Sequence, residues 1–271
     1  MLERCNYMNI ISHEDAIEIV KKKGISYIAD LDNISYLIQE NEFLACWKSE
    51  DVLIILSKTM NDIVNVIPLS KRFDIDELMG FVETHCKMPT LLIPFQDLES
   101  DFAKELDESI GKSFAADKTF TDFAMVFKKD YVRIDDPNIR LVTKMNKNEF
   151  VQMTSEKIEH RPDLALLFDI FVVKKQGEIL AAFEGDKIVG YISFMKMTND
   201  YYDVDYIYTS PEYRRKGYGA RLAYGYLSYV LSMGCNAYWS NAKNMASMRI
   251  ATKCGFSIVR IMKRYIPLKT N

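Results

Sequence analysis

Short apolar runs broken by charged turns fill the first half of the chain, and longer, more regular patterns fill the second. Phe43–Trp47, Val52–Leu56 and Ile63–Ile67 have strand length and many branched residues, and Ser35–Ile38 reads as one more strand. Asp74–Cys86 places Leu78, Met79 and Val82 at helical spacing, and Thr90–Ile93 is a buried strand pattern. Leu98–Ile110 predicts a helix opening near Glu99 and Asp101, and Phe120–Phe127 predicts a strand. A charged stretch with a proline, Lys128 to Asn138, separates the halves, so the expected domains are 1–135 and 136–271.

The second half reads more sharply. Ile139–Thr143 is a strand pattern, and Lys147–His160 opens a helical region running irregularly past Pro162. Ile179–Glu184 and Lys187–Met195 are strands joined by Gly185-Asp186, a pair suited to a tight hairpin. Tyr202–Thr209 is the next strand, and Gly217–Met233 is a helix with Leu222, Tyr226, Leu227, Val230 and Leu231 on one face. Gly234 stands where a glycine ends a helix, and Asn236–Trp239 is a strand. Asn244 is an N-cap for a helix closing at Gly255, and Phe256–Ile266 supplies one or two last strands. The predicted class is α/β or α+β, with β elements clustered early.

Composition narrows the function. Apolar residues at 48% and charged residues at 27% are those of a soluble globular protein. A net charge of −3 leaves no face-wide basic excess, which argues against a nucleic-acid partner. Cys5, Cys46, Cys86, Cys235 and Cys254 are scattered, with no paired spacing and no histidine at ligand distance in sequence. Free thiols in a reducing cytosol and no metal are expected. His85 beside Cys86 reads more readily as a helix-end pair than as a catalytic dyad. No signal peptide pattern is seen and no apolar run approaches the ~20 residues of a spanning helix, so a cytoplasmic protein without a membrane partner is expected.

The chemistry concentrates in Asp205–Leu222. A strand stops at Ser210-Pro211, then come Arg214, Arg215 and Lys216, then Gly217 and Gly219 at a helix start. Backbone N–H groups, the positive end of the helix dipole and close-approaching glycines make an anion cradle. A P-loop needs GxxxxGK[ST]; Gly111-Lys112-Ser113 matches only its tail, because Leu106 occupies the first glycine position. A dinucleotide fingerprint needs GxGxxG and a later acid; Leu222 takes the third glycine place and Ala237–Ser240 carries no acid.

Arg214-x-x-Gly217-x-Gly219 after a strand ending in Thr-Ser-Pro resembles the [QR]xxGx[GA] acetyl-CoA signature of the GNAT superfamily of N-acetyltransferases. The hairpin Phe183–Phe194 looks like that family's second and third strands, and Asn244–Phe256 is similar to its fourth helix. The resemblance covers roughly residues 138–266 and implies a mixed, mostly antiparallel sheet flanked by helices. It implies acetyl-CoA as acyl donor and an amine, in a small molecule or a peptide N-terminus, as acceptor. Backbone N–H groups from Arg215 through Gly217 and Tyr218 to Ala220 would hold the pyrophosphate, with charge from Arg214, Arg215 and Lys216. The family's splayed strands imply pantetheine contacts at Ile207 and Thr209, with Asn244 and Ser247 across the arm. A solvated turn is the plainer reading of the arginines, and a plain helix cap that of Asn244.

Amine acetylation needs a proton acceptor, oxyanion stabilisation and a donor to the leaving thiolate. Asp203 falls where some relatives carry a glutamate base, and Asp205 follows two residues on along the same strand. Either also reads as a polar rim residue. Many relatives place a tyrosine acid where this chain has Ala251, which leaves Ser247, Tyr208, Tyr265 or water to protonate the thiolate. The first half, with no second RxxGxG, resembles a degenerate copy of the same fold as in tandem GNAT proteins; a dimerisation or unrelated accessory domain is the alternative, and a homodimer stays open. A non-catalytic acyl-CoA sensor and an aminoacyl-transferase of tandem type are the competing functions.

Overall fold

The computed structural model describes residues 8–24, 27–39, 41, 43–57, 63–87, 89–118, 122–127, 135–153, 163–197, 201–240 and 245–268. These divide into two compact units, Met1–Ala124 with Ile258–Asn271, and Met125–Ser257. The division falls at Ala124/Met125, whereas composition points near 135, and the C-terminal residues join the first unit. The cause is pairing: the tail completes the first unit's sheet, which a charge-and-proline break cannot reveal.

The first unit runs β1 (Asn9–Ile11), α1 (His13–Lys22), α2 (Ile28–Gln39), β2 (Phe43–Lys48), β3 (Val52–Ser57), β4 (Ile63–Pro68), α3 (Ile75–His85), β5 (Thr90–Phe95), α4 (Asp101–Ile110) and β6 (Phe114–Ala116). The second runs from within β7 (Asp122–Phe127) through β8 (Ile139–Leu141), α5 (Lys147–Val151), α6 (Leu164–Phe168), β9 (Glu178–Glu184), β10 (Lys187–Lys196), β11 (Tyr201–Thr209), α7 (Tyr218–Ser232), β12 (Asn236–Trp239) and α8 (Met245–Lys253). The last strand, β13 (Phe256–Pro267), returns to the first unit, pairing Ile261–Tyr265 with β5 and Tyr265–Pro267 with β6.

In the first unit β1, β2, β3 and β4 pair antiparallel in sequence order, and β4 meets β5 in parallel. Every residue of β3 is buried, because the sheet is covered on both faces. Leu53 and Ile55 pack with Ala16 and Val20 of α1 and Leu31, Ile34 and Leu37 of α2. Val52, Ile54 and Leu56 face Leu78, Phe81 and Val82 of α3 and Ala103, Leu106 and Ile110 of α4. Ser35–Ile38, expected as a strand, is the end of α2. Leu31, Ile34 and Leu37 are three apart and all buried, so one helical face accounts for a run that looked extended. Helix α1, not anticipated, is capped by Ser12, whose hydroxyl accepts the Asp15 N–H at 3.1 Å, with Lys21 and Lys22 in its last turn.

The second unit has the order β8-β9-β10-β11-β12-β7, antiparallel except for the parallel pair β11/β12. One face packs Phe150, Leu164, Leu167, Phe168 and Phe171 on Ala181, Ile188, Tyr191 and Tyr208. Helix α7 packs on β9, β10, β11 and β12, burying Leu222, Tyr226, Leu227 and Val230 as its spacing predicts. The hairpin glycine Gly185 has φ of +61° and Gly234 after α7 has +70°, the left-handed values those turns need. The Lys147–His160 helix is described only as α5, and its remainder lies outside the described residues. Both units share the succession strand, two helices, three strands, helix, strand, helix.

Gly190 sets the spacing of β10 and β11, since a Cβ there would stand 2.6 Å from the Tyr208 carbonyl oxygen. Backbone cannot yield as a side-chain end can, so Gly190→Ala is expected to cost roughly 1–3 kcal/mol of stability. A lowered midpoint in chemical denaturation checks this; an unchanged midpoint would show that the strands separate there freely.

Candidate functional site

Strand β11 pairs with β12 only through Tyr201, Asp203 and the residue between them, and among the described residues nothing continues that side of β11. The Ser210 N–H donates to Val189 on β10 at 2.9 Å. Backbone groups alternate along a strand, so those of Tyr208 turn to β10 while those of Ile207 and Thr209 turn toward the opening. The fork is pinned where it begins. The buried Tyr226 hydroxyl accepts the Tyr238 N–H at 3.1 Å and donates to the Tyr202 carbonyl, joining both strands. Burial, then the nearby Asp203 charge, pushes that phenol well above its ordinary value, so it stays a donor. Asp203 itself accepts the Ser240 N–H at 2.7 Å and the Ser240 hydroxyl.

Past Thr209 the chain turns through Ser210 and the 3-10 turn Pro211–Tyr213. Arg215 and Gly217 then take φ of +63° and +89°. Helix α7 starts at Tyr218 with no side chain capping it. Its first intrahelical bond runs from the Arg221 N–H to Gly217, which leaves the N–H groups of Tyr218, Gly219 and Ala220 without a helical acceptor. A Cβ on Gly217 would meet open space, whereas one on Gly219 would stand 2.8 Å from Ile250 of α8. The first glycine therefore serves the turn and the second the close approach of α8. Arg214 donates from Nε to the Thr209 carbonyl at 3.0 Å, fixing the turn to the strand end. Arg215 and Lys216 are exposed, with Lys216 Nζ 4.8 Å from the Tyr213 ring centre.

Together these walls enclose a cleft of about 510 Å³, lined by Ile207, Tyr208, Thr209, Tyr213, Arg214, Arg215, Gly217, Tyr218, Gly219, Ala246, Ser247 and Ile250. An uncapped helix start, cations at the rim and open strand backbone fit a ligand with a phosphate at one end and an amide-bearing arm.

A bulge in β11 shapes the carboxylates. Tyr206 is opposite Ser193 and Val204 opposite Phe194, so Asp205 is the extra residue. Its effect is visible in the aromatic contacts. Tyr202 packs on Phe194 at 5.9 Å, and Phe194 packs on Tyr226 of α7 at 5.0 Å. Tyr206 and Tyr208 instead lie 6.1 and 6.0 Å from Tyr191, which packs on Phe150 across the sheet. Tyr202 and Tyr206 would share a face in a regular strand and here occupy opposite ones. Asp205 accepts the Ser193 hydroxyl at 2.8 Å, and it keeps solvent access. Desolvation by the surrounding protein raises its carboxyl above the ordinary value, with the Ser193 hydrogen bond opposing.

The structure brings together Ile207, Thr209, Arg214, Arg215, Gly217, Tyr218, Gly219 and Ser247 at one cleft, with Lys216 and Ala220 in the same turn. Asn244 lies outside the described residues. Of the hydroxyls weighed as acids, Ser247 and Tyr208 line the cleft, while Tyr265 belongs to the first unit and donates to Asp107 at 2.6 Å. Ala251 is fully buried. Sequence missed Tyr213, Ala246 and Ile250 as walls and Ser240 as the partner of Asp203; the helical spacing of Ala246 and Ile250 with Ser247 carried a signal for two of them. His85 stacks on Phe81 and bonds through Nδ1 to the Phe81 carbonyl, a structural pairing. Among the described residues no cluster of three or more His, Cys, Asp or Glu could hold a metal, and no helix is long and apolar enough to cross a membrane.

Residues 143–256 match the model of the acetyltransferase (GNAT) family. No curated protein matches the sequence. Among solved structures the chain is similar to an acetyltransferase from the GNAT family from Colwellia psychrerythraea, with TM-score 0.61 and 9% identity over 97% of this chain and 99% of that one. It is similar to a GCN5-related N-acetyltransferase from Sphaerobacter thermophilus, at 0.60 and 11% over 100% and 98%. A tandem GNAT protein from the clavulanic acid biosynthesis pathway gives 0.56 and 12% over 97% and 99%. The segment 143–256, with its forked parallel pair and arginine-glycine turn, is a domain of the acetyltransferase (GNAT) family.

Proposed function

We propose that the second unit binds acetyl-CoA in the cleft and moves its acetyl group to a primary amine by direct transfer. The observation that carries this is the fork of β11 and β12 opening onto the uncapped start of α7. The N–H groups of Tyr218, Gly219 and Ala220, with the rim charges of Arg215 and Lys216, would hold the pyrophosphate. The backbone of Ile207 and the N–H of Thr209, whose carbonyl already accepts from Arg214, would pair with the pantetheine arm, Ser247 facing it from α8. The donor supplies an acetyl thioester; the chain supplies orientation and a route for protons. Asp205 suits the role of base better than Asp203, because it is solvent-accessible and its carboxyl is raised, whereas Asp203 is engaged by Ser240 at the fork. Asp203 is then a positioning residue, holding the two strands at their point of divergence. Ser247 or Tyr208 would donate a proton to the leaving thiolate.

The first unit is read as a degenerate copy of the same fold. Its support is the repeated order of elements and a second parallel pair, β4/β5, that again lasts only three residues on each strand. Its helix start after the fork is not open: Asp74 caps α3 by accepting the Glu77 N–H at 3.0 Å. A carboxylate there takes the place of a bound phosphate, which is consistent with one CoA-binding unit per chain.

The buried Ala251 favours a second reading, an acyl-CoA-binding module without turnover. CoA binding by calorimetry together with acetyl transfer to a panel of amines separates the two. Turnover supports the enzyme, and binding with no acceptor consumed supports the module.

Gly217→Glu is expected to abolish CoA binding. Like-charge juxtaposition costs several kcal/mol, so calorimetric affinity should fall by about two orders of magnitude or more; unchanged affinity would remove the assignment of the cleft. Asp205→Asn is expected to lower the transfer rate by about 10²–10⁴-fold with CoA affinity kept. A base must be deprotonated, so in the parent kcat/KM falls as pH drops through a value above that of an ordinary aspartate. The variant should lack that limb, and an identical pH profile would exclude Asp205 as base. Asp203→Ala should instead lower stability, by about 1 kcal/mol for the hydrogen bonds lost to the half-buried Ser240, and thermal unfolding reads that difference.

A further inference from the structure

The first unit carries its own cavity, of about 530 Å³, at the open end of the fork between β4 and β5. The chain after each strand and the start of α4 form its walls, and Tyr27, Phe95 and Phe102 give it an aromatic lining. Arg260 of β13 lines it too, with only 6% of its side chain exposed. Nη1 lies against Asp30 Oδ2, and the guanidinium carbon stands 5.2 Å from the Tyr27 ring centre. Nη2 is buried with no hydrogen-bond acceptor among the described residues. A guanidinium has five N–H donors, and leaving one buried and unfilled costs stability.

The surroundings carry an excess of positive charge. Arg260 and Lys71 line the cavity and Lys23 donates to the Leu69 carbonyl in its wall, against Asp30 and Asp97. A pyrophosphate is a poor occupant, because the helix start beside the fork already holds the Asp74 carboxylate, with Asp76 and Glu77 in the same turn. The unfilled donor and the aromatic walls call for a smaller acceptor joined to an apolar body. We propose that this cavity binds a small carboxylic acid, its carboxylate directed to the Arg260 guanidinium and its apolar body among Tyr27, Phe95 and Phe102.

This inference stands apart from the acyl-transfer reading and is tested on the full chain in the presence of saturating CoA. Phenylacetate and hexanoate are titrated by calorimetry and by ligand-observed NMR, against phenylacetamide and hexanamide as neutral isosteres. The acids should bind and the amides should bind at least about tenfold more weakly, since a charge-assisted bond to the guanidinium is lost. Gln96→Trp fills the exposed rim of the cavity without touching the ion pair, so it should abolish acid binding and leave the CoA titration unchanged. Arg260→Lys, which keeps the charge but removes the second donor arm, should weaken the acids by about tenfold or more. The proposal is overturned if neither acid binds, if the amides bind as well, or if Gln96→Trp leaves acid binding intact. A failure of CoA itself to bind would count only against the cleft in the second unit.

Discussion

Strands β11 and β12 are held together for three residues and then let go, and the site of the second unit depends on that release. Were the pairing to continue, the backbone of Ile207 and Thr209 would be spent within the sheet and no cleft would exist. Two devices hold the pair where it must stay closed. Tyr226 reaches from α7 to bond a backbone group on each strand, and Asp203 reaches across to Ser240. The first works because it is short of water: the Tyr226 side chain is completely buried, so its hydrogen bonds have no solvent competitor. The arginine-glycine turn then begins where the strand stops, and Arg214 ties the two together through the Thr209 carbonyl.

Much of this was legible in the amino-acid sequence, for physical reasons that can be named. Helix α7 carries a strong 3.6-residue pattern ending at a glycine with positive φ, and its bounds were read within a residue or two. The hairpin at Gly185 and the turn at Gly217 were legible because only particular residues tolerate those conformations. Ser35–Ile38 was misread because four apolar-rich residues fit either period, and the buried face of α2 appears only when Leu31 is counted with Ile34 and Leu37.

Other features lay beyond any local pattern. The bulge at Asp205 is a relation between two strands, defined by which residue of β10 stands opposite, and nothing in β11 alone announces it. Asp203 and Asp205 looked interchangeable in sequence; their partners, Ser240 just past the end of β12 and Ser193 on β10, lie on opposite sides of β11. The home of β13 was likewise hidden, since its alternating pattern suits any sheet edge and does not say which sheet.

The return of β13 to the first unit has a consequence in time. Tyr265 and Arg260 emerge from the ribosome after every residue of the second unit, yet Tyr265 is part of the first unit's core and its hydroxyl meets Asp107, 158 positions earlier. Vectorial synthesis usually lets an N-terminal domain close before its successor is complete. Here the sheet formed by β1 to β5 must wait with one edge unpaired, and its final strand, bearing the buried guanidinium, arrives last.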